Sequence, residues 1–369
     1  MKIVHFFRSP VGGIFRHVRD LLAEQSAAGH QVGIICDANT GGDYENQLFE
    51  QIQPQLNLGL HRISMARSIS PLDIATLFKA RALISELSPD VVHCHSAKAG
   101  IHGRIAARYS SSPSNPIKAF YCPHGGAMHY DAGSLKGKVF FTAERFMERF
   151  TARLVFVSEY ERNAYHEKVG KPRCPEAIVY NGLATEEFEP VAPLDEAKDF
   201  MYIGMMRDLK GPDLFLEALG KLQARREKKI TAMFVGDGPD KDKYLHQIKN
   251  LGLVDCVSVY PAMPAREAFS MAKVIVVPSR AESMPYLVLE AIAAQMPIVA
   301  TCVGGIPEIF QDRSEDLVPP GDAGALAEKM LSTLEDETRE TRARTFAEQL
   351  KTRFSLPVMA ESVETIYRD

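Results

Sequence analysis

Two doubly wound α/β domains in tandem are the fold that this sequence predicts, and three observations predict it. The chain has 369 residues, more than one ordinary core accommodates and enough for two domains of common size. Apolar strand-like runs alternate with helical patterns of ten or more residues, the mark of βαβ units and a parallel sheet. The alternation starts afresh after Glu189-Pro-Val-Ala-Pro193, whose prolines and small residues read as a linker.

In the first half the spacing predicts strands at 2–7, 31–36, 90–94, 117–122 and 153–157, with 177–180 a weaker candidate. Helical patterns fall between them at 13–28, 72–87, 98–109, 138–151 and 159–168. In the second half strands are expected at 199–203, 230–235, 256–259, 274–277 and 297–300, again with helices between. Pro212 opens a helix at 212–226. Helical, charge-mixed sequence runs from about 323 to 351, and a final helix is expected at about 357–368. The domains are therefore set at 1–190 and 191–369, with that last helix a candidate to pack back on the first domain. Ligands of such folds bind at the C-terminal ends of the strands.

A hydrophobic content of 46% with 24% charged residues is that of a globular protein, and a net charge of −4 gives no reason to expect nucleic acid as a partner. The six cysteines (36, 94, 122, 174, 256 and 302) include no two closer than 28 positions, which argues against a zinc site or a disulfide scaffold. The N-terminus enters Lys2-Ile-Val-His-Phe-Phe7 directly, too short for a signal sequence, and no apolar stretch reaches the ~18 residues of a membrane span. These features lead us to expect a cytoplasmic protein with at most peripheral membrane contact.

Glu282 and Glu290 lie eight residues apart in Ser279-Arg-Ala-Glu-Ser-Met-Pro-Tyr-Leu-Val-Leu-Glu290. An apolar strand precedes them and Ala291-Ile-Ala-Ala-Gln295 continues as helix, so a strand, a turn and a helix N-terminus frame both carboxylates. A helix start offers backbone N–H groups and a partial positive charge, which suit a phosphate. Arg207 and Lys210 occupy the turn after the first strand of the second domain. Two cations there can neutralise a diphosphate, the arginine by a forked contact and the lysine as a point charge, although an isolated Arg-x-x-Lys more often marks a solvated surface. Gly12-Gly13 opens the first helix, where missing side chains let backbone N–H groups approach an anion; a plain tight turn explains the pair equally well.

In order along the chain come Gly12-Gly13, the Ala28-Gly-His-Gln-Val32 turn, Val179-Tyr-Asn-Gly-Leu183, the Lys210-Gly turn, Gly236-Asp-Gly-Pro239, the two glutamates and Val303-Gly-Gly-Ile-Pro-Glu-Ile309. This ordered set resembles the retaining glycosyltransferases of family four, which have the GT-B fold of two Rossmann-like domains. The resemblance covers nearly the whole chain and is most specific at 275–309. It implies that Glu282 binds hydroxyls of a donor sugar and Glu290 the ribose of its nucleotide. Arg207 and Lys210 would hold the diphosphate, assisted by backbone at Met284, Pro285, Tyr286 and Leu287 and by Gly12-Gly13. His124, in Tyr121-Cys-Pro-His-Gly-Gly126, matches the family's His-Gly motif facing the reacting sugar. The resemblance sets His95 and Lys98 on the acceptor side, where a structural role explains either equally well, and Tyr130 and Asp131 are further acceptor-side candidates. Two departures stand out: Met205 occupies the position where the family often has arginine, and Glu282-Ser-Met-Pro285 replaces the commoner Glu-Gly-Phe-Gly, so Pro285 supplies no N–H.

The activity so implied is metal-independent transfer of a hexose from a UDP- or GDP-sugar to a hydroxyl on a saccharide or lipid-linked acceptor. No cofactor and no metal are expected. Asp240-Lys-Asp242 has the spacing some glycosyltransferases use for a divalent ion, but it also suits a helix start. His93 and His95 are expected on opposite faces of a strand and hence as poor joint metal ligands. The run from Lys136 to Phe150 is amphipathic, either packing on the sheet or resting on a membrane, and Arg225-Arg-Glu-Lys-Lys229 reads as a solvated helix end. Other classes remain: an inactive nucleotide-sugar-binding scaffold, or a sugar-nucleotide epimerase of the same architecture.

Overall fold

The computed structural model describes residues 1–225 and 229–369, so residues 226–228 of the basic run lie outside the described residues. The chain divides into two compact units, residues 1–182 with 356–369, and residues 183–355. The division falls at 182/183, eight residues before the expected boundary at 190/191. Leu183 bridges to Ser355, and Arg266 donates to the carbonyls of Glu187 and Glu189 at 2.9 Å each, so this stretch packs on the second unit.

The first unit runs β1 (Lys2–Phe7), α1 (Gly12–Ala27), β2 (Gln31–Asp37), α2 (Asp43–Ile52), β3 (Leu60–Ile63), α3 (Leu72–Leu87), β4 (Val91–His95), α4 (Ala97–Ser110), β5 (Lys118–Cys122), α5 (Leu135–Met147), β6 (Arg153–Phe156), α6 (Glu159–Lys168) and β7 (Glu176–Ile178). Its described strands form one sheet in the order β3-β2-β1-β4-β5-β6-β7, and every pairing is parallel. A parallel sheet covered on both faces needs strands buried on both faces, and β1 and β4 meet this with Ile3 to Phe7 and Val91 to His95 all buried.

The second unit contains β8 (Lys198–Ile203), α7 (Pro212–Ala224), β9 (Ala232–Val235), α8 (Lys241–Asn250), β10 (Val257–Tyr260), α9 (Ala265–Ser270), β11 (Ala272–Val277), α10 (Tyr286–Ala293), β12 (Ile298–Ala300), α11 (Ile306–Phe310), α12 (Ala323–Glu335) and α13 (Arg339–Lys351). Its sheet order is β10-β9-β8-β11-β12, also all parallel. The chain then returns to the first unit as α14 (Leu356–Arg368), where the Tyr367 hydroxyl meets His93 Nδ1 at 2.6 Å and Glu364 meets His30 at 2.8 Å.

Two elements lacked a sequence signal. Strand β3 has only four residues and is half-exposed, and α2 is a ten-residue helix that carries only Phe49 and Ile52 into the core, so each is brief and buries few apolar side chains. The helical stretch 323–351 is two helices, broken where the Asp336 carboxylate accepts the Thr338 backbone N–H at 2.8 Å. Helix α5 packs through Phe141 and Met147 while Leu135, Val139 and Phe146 stay at least half exposed.

In each sheet the strand order reverses at one place: between β1 and β4 in the first unit, and between β8 and β11 in the second. Such switch points open a crevice outside the carboxyl ends of the two strands, where ligands of doubly wound sheets bind.

Candidate active site

At the switch point of the second unit the loop after β8 holds Lys210 and the loop after β11 holds Glu282. Lys210 Nζ lies 2.7 and 2.8 Å from the two carboxylate oxygens of Glu282. Glu282 is buried (8% exposed), whereas a third of the Lys210 side chain remains open. Ser279 Oγ donates to Glu282 Oε1 at 2.7 Å, and Thr301 Oγ1 donates to the Ser279 carbonyl at 2.6 Å. The carboxylate is thus held by an ammonium and a hydroxyl, a charge-assisted arrangement that fixes its orientation.

The two loops are clamped a second time. Arg280 donates to both carboxylate oxygens of Asp213 and to the Asp208 carbonyl, and its backbone N–H bonds the Leu209 carbonyl at 2.9 Å. Glycines make the approach possible. A Cβ at Gly211 would sit 2.0 Å from the Pro278 carbonyl oxygen, and one at Gly304 only 1.6 Å from that of Glu282. Both glycines also have positive φ, +68° and +59°, which L side chains adopt at a cost.

Arg207 is half-buried at the start of the same turn and forms no ion pair among the described residues, so its charge is unspent. Met284, Pro285 and Tyr286 are buried and Leu287 half-buried at the start of α10. Pro285 is the N-cap, and the first backward bond runs from Val288 N–H to its carbonyl at 3.2 Å. Glu290 lies on the second turn of α10, half-buried. Asp240 precedes α8 without a side-chain capping bond, and its carboxylate accepts the Asp208 N–H at 3.3 Å; neither it nor Asp242 joins a cluster of three metal-ligating groups among the described residues. A cavity of about 710 Å³ lies apart from these loops, between α11 and α13. Its Arg313 and Arg342 are already paired with Asp316, so it offers less to a diphosphate.

The first unit carries a different chemistry at its switch point. Gly12 begins α1 with φ +65° and no atom within 4 Å of where a Cβ would be, so backbone conformation rather than crowding calls for glycine there; Gly13 follows it inside the helix. His95 ends β4 and is fully buried. Its ring stands among four others: His5, His17, His93 and His124, with centroid separations from His95 of 5.4, 5.5, 4.2 and 5.2 Å. The expectation that His93 and His95 point to opposite faces is wrong, because side chains two apart on a strand share a face. Register then brings in His5, which pairs with His93 across β1 and β4.

Burial disfavours the imidazolium form and lowers His5 and His17 to about 4, with His93, His95 and His124 held well below the usual value. Two trios, His5–His93–His95 and His17–His95–His124, have nitrogens close enough together to hold a metal ion. Neither includes a carboxylate to offset a dication in so buried a place, and His95 already pairs through both ring nitrogens with His5 and His124. Sequence reasoning missed His5 and His17 because only sheet order joins His5 to β4 and only the packing of α1 brings His17 beside it.

Lys98 is tied to Asp73 at 2.7 Å, and Tyr130 stacks on Phe140 at 4.9 Å with Lys136 over its ring. All six cysteines are free thiols. Among the described residues no helix is long and apolar enough to cross a membrane.

Two family models match, one after the other: Glycosyltransferase Family 4 over residues 11–187 and Glycosyl transferases group 1 over 184–350. The chain belongs to the group 1 glycosyltransferases of family four. It is 35% identical over 259 residues to a Bacillus subtilis (strain 168) glycosyltransferase named for teichuronic acid biosynthesis, TuaC, covering 66% of this chain and 61% of the relative. It is 22% identical over 327 residues to the UDP-Gal:alpha-D-GlcNAc-diphosphoundecaprenol alpha-1,3-galactosyltransferase of Escherichia coli, covering 83% and 82%. Among solved structures, sucrose-phosphate synthase from Thermosynechococcus elongatus superposes with a TM-score of 0.79 at 19% identity over 100% of this chain and 98% of that one. The fold of this glycosyltransferase is GT-B. Family membership favours neither the scaffold nor the epimerase reading.

Proposed function

We propose that this glycosyltransferase moves a hexose from a UDP- or GDP-sugar to a hydroxyl of a saccharide or lipid-linked acceptor, with retention at the anomeric carbon and without a metal ion. The observation that carries the reading is the Lys210–Glu282 pair at the switch point of the second sheet. Breaking the bond between sugar and phosphate develops negative charge on the leaving diphosphate. Arg207, the open face of Lys210 and the first-turn N–H groups of α10 stabilise that charge, with Gly12-Gly13 backbone assisting. Glu282, already oriented by Lys210 and Ser279, accepts hydrogen bonds from sugar hydroxyls, while Glu290 binds the ribose and His124 contacts the transferred sugar. The leaving phosphate takes the acceptor's proton, so Glu282 forms no covalent intermediate.

The relatives support a setting in bacterial surface polysaccharide or lipopolysaccharide assembly, since one is named for teichuronic acid and another for a diphosphoundecaprenol acceptor. The cytoplasmic face of the membrane suits such an acceptor. Exposed Leu135, Val139 and Phe146 beside Lys136 and Lys138 on α5 support peripheral contact there.

The test is donor turnover by the parent and by Glu282→Ala, with and without EDTA. Turnover that is EDTA-resistant in the parent and lost in the variant supports the reading. Equal absence in both sinks it, and product formed without any acceptor points to epimerisation.

A further inference from the structure

His124 has an unusual mounting. Its backbone is left-handed, φ +51°, a conformation uncommon outside glycine. The buried Glu161 carboxylate holds the turn by accepting the N–H groups of Gly125 and Val157. The ring is held separately. His124 Nε2 lies 3.0 Å from His95 Nδ1, His95 Nε2 lies 3.1 Å from His5 Nδ1, and His5 Nε2 lies 2.8 Å from Gln25 Oε1. Gln25, His5 and His95 are buried and His124 is half-buried, so the chain runs from the core towards the surface.

Its polarity follows from what each group can do. An amide oxygen only accepts, so His5 Nε2 bears the hydrogen. A neutral imidazole has one N–H, so His5 Nδ1 accepts from His95 Nε2–H, and His95 Nδ1 accepts from His124 Nε2–H. His124 Nδ1 is then left without a proton. The chain ends on an amide, which takes up no proton at neutral pH, so it orients the outer ring and does not relay charge.

We propose that Gln25, His5 and His95 are positioning residues that lock His124 in its Nε2–H tautomer and offer its Nδ1 as a hydrogen-bond acceptor to a hydroxyl of the transferred sugar. The inference rests on the glycosyl-transfer reading above and adds to it a selection rule. The position of the sugar facing His124 must carry a free hydroxyl, since an O-methyl group or a carboxylate there has no hydrogen to donate. Burial of the other rings, which disfavours any imidazolium, keeps the chain neutral.

The test uses the full-length protein labelled with 15N-histidine, read by long-range 1H–15N correlation at neutral pH. The expected spectrum shows His5, His95 and His124 all as Nε2–H tautomers. An Nδ1–H tautomer or an imidazolium at His124 overturns the proposal. Gln25→Leu removes the terminal acceptor and is expected to give mixed tautomers at His124, with kcat down about tenfold and donor KM within about twofold. His95→Leu should behave alike, and His95→Gln, which restores an acceptor, should recover part of kcat. Folded variants that keep both tautomer and kcat overturn the positioning role. A parent that turns over no nucleotide sugar overturns the transfer reading separately, because the tautomer is read without turnover.

Discussion

The ammonium of Lys210 bridges both oxygens of the Glu282 carboxylate, at 2.7 and 2.8 Å, across 72 positions of sequence. The contact exists because β8 and β11 are neighbours at the point where the sheet order reverses, so the loops that follow them meet. One cation thereby does two things: it orients the carboxylate and keeps an exposed side for an anion.

Removing Lys210 leaves a buried carboxylate with only Ser279 as a named side-chain donor. Lys210→Ala is expected to cost about 1–2 kcal/mol of stability, less than a fully buried pair because the lysine is one-third exposed. Donor turnover should fall about 10²–10³-fold. Chemical denaturation and steady-state kinetics measure the two effects separately.

Arg207 should behave differently, since it forms no ion pair among the described residues. Arg207→Ala is expected to weaken nucleotide diphosphate binding about tenfold while changing stability by less than about 0.5 kcal/mol. Calorimetric titration with UDP and GDP checks this; an unchanged affinity removes Arg207 from the diphosphate site.

Gly304→Ala places a methyl group into the Glu282 carbonyl and demands positive φ of alanine. A loss of about 3 kcal/mol is expected, with weaker donor binding because Glu282 must move. Gly12→Ala, which meets no atom within 4 Å, should cost only about 1 kcal/mol for its positive φ. Urea midpoints of the two variants make the comparison.

The histidine cluster predicts an acid-sensitive first unit. His5 and His17 sit at about 4 in the folded protein and at about 6.5 when unfolded. Between those values the unfolded chain binds more protons, so stability rises with pH across the window and is lost as pH falls from 6.5 to 4. The loss approaches about 3 kcal/mol for each ring by pH 4. Equilibrium unfolding at a series of pH values should show this slope, and His17→Phe should flatten it.

A thermal-shift screen of UDP- and GDP-sugars identifies the donor. The correct nucleotide at a hundredfold above its Kd should stabilise by about 2.7 kcal/mol, with the same shift in EDTA. A shift that requires a divalent ion would contradict the metal-free reading.

Local pattern was enough for much of this protein. Apolar runs alternating with helical periods specified two parallel α/β sheets, and the spacing of Glu282 and Glu290 put both on one strand–turn–helix. Ordered motifs from Gly12 to Ile309 carried the family. Each of these is local, written within a few turns of chain. Strand β3 and helix α2 escaped because both are brief, four and ten residues, and bury few apolar side chains. Tertiary structure alone decided which loops meet and which faces are shared. It joined Lys210 to Glu282, and it gathered His5, His17, His93, His95 and His124 into one cluster. Sheet order and register are long-range hydrogen-bonding choices, and no spacing along the chain records that β1 lies beside β4.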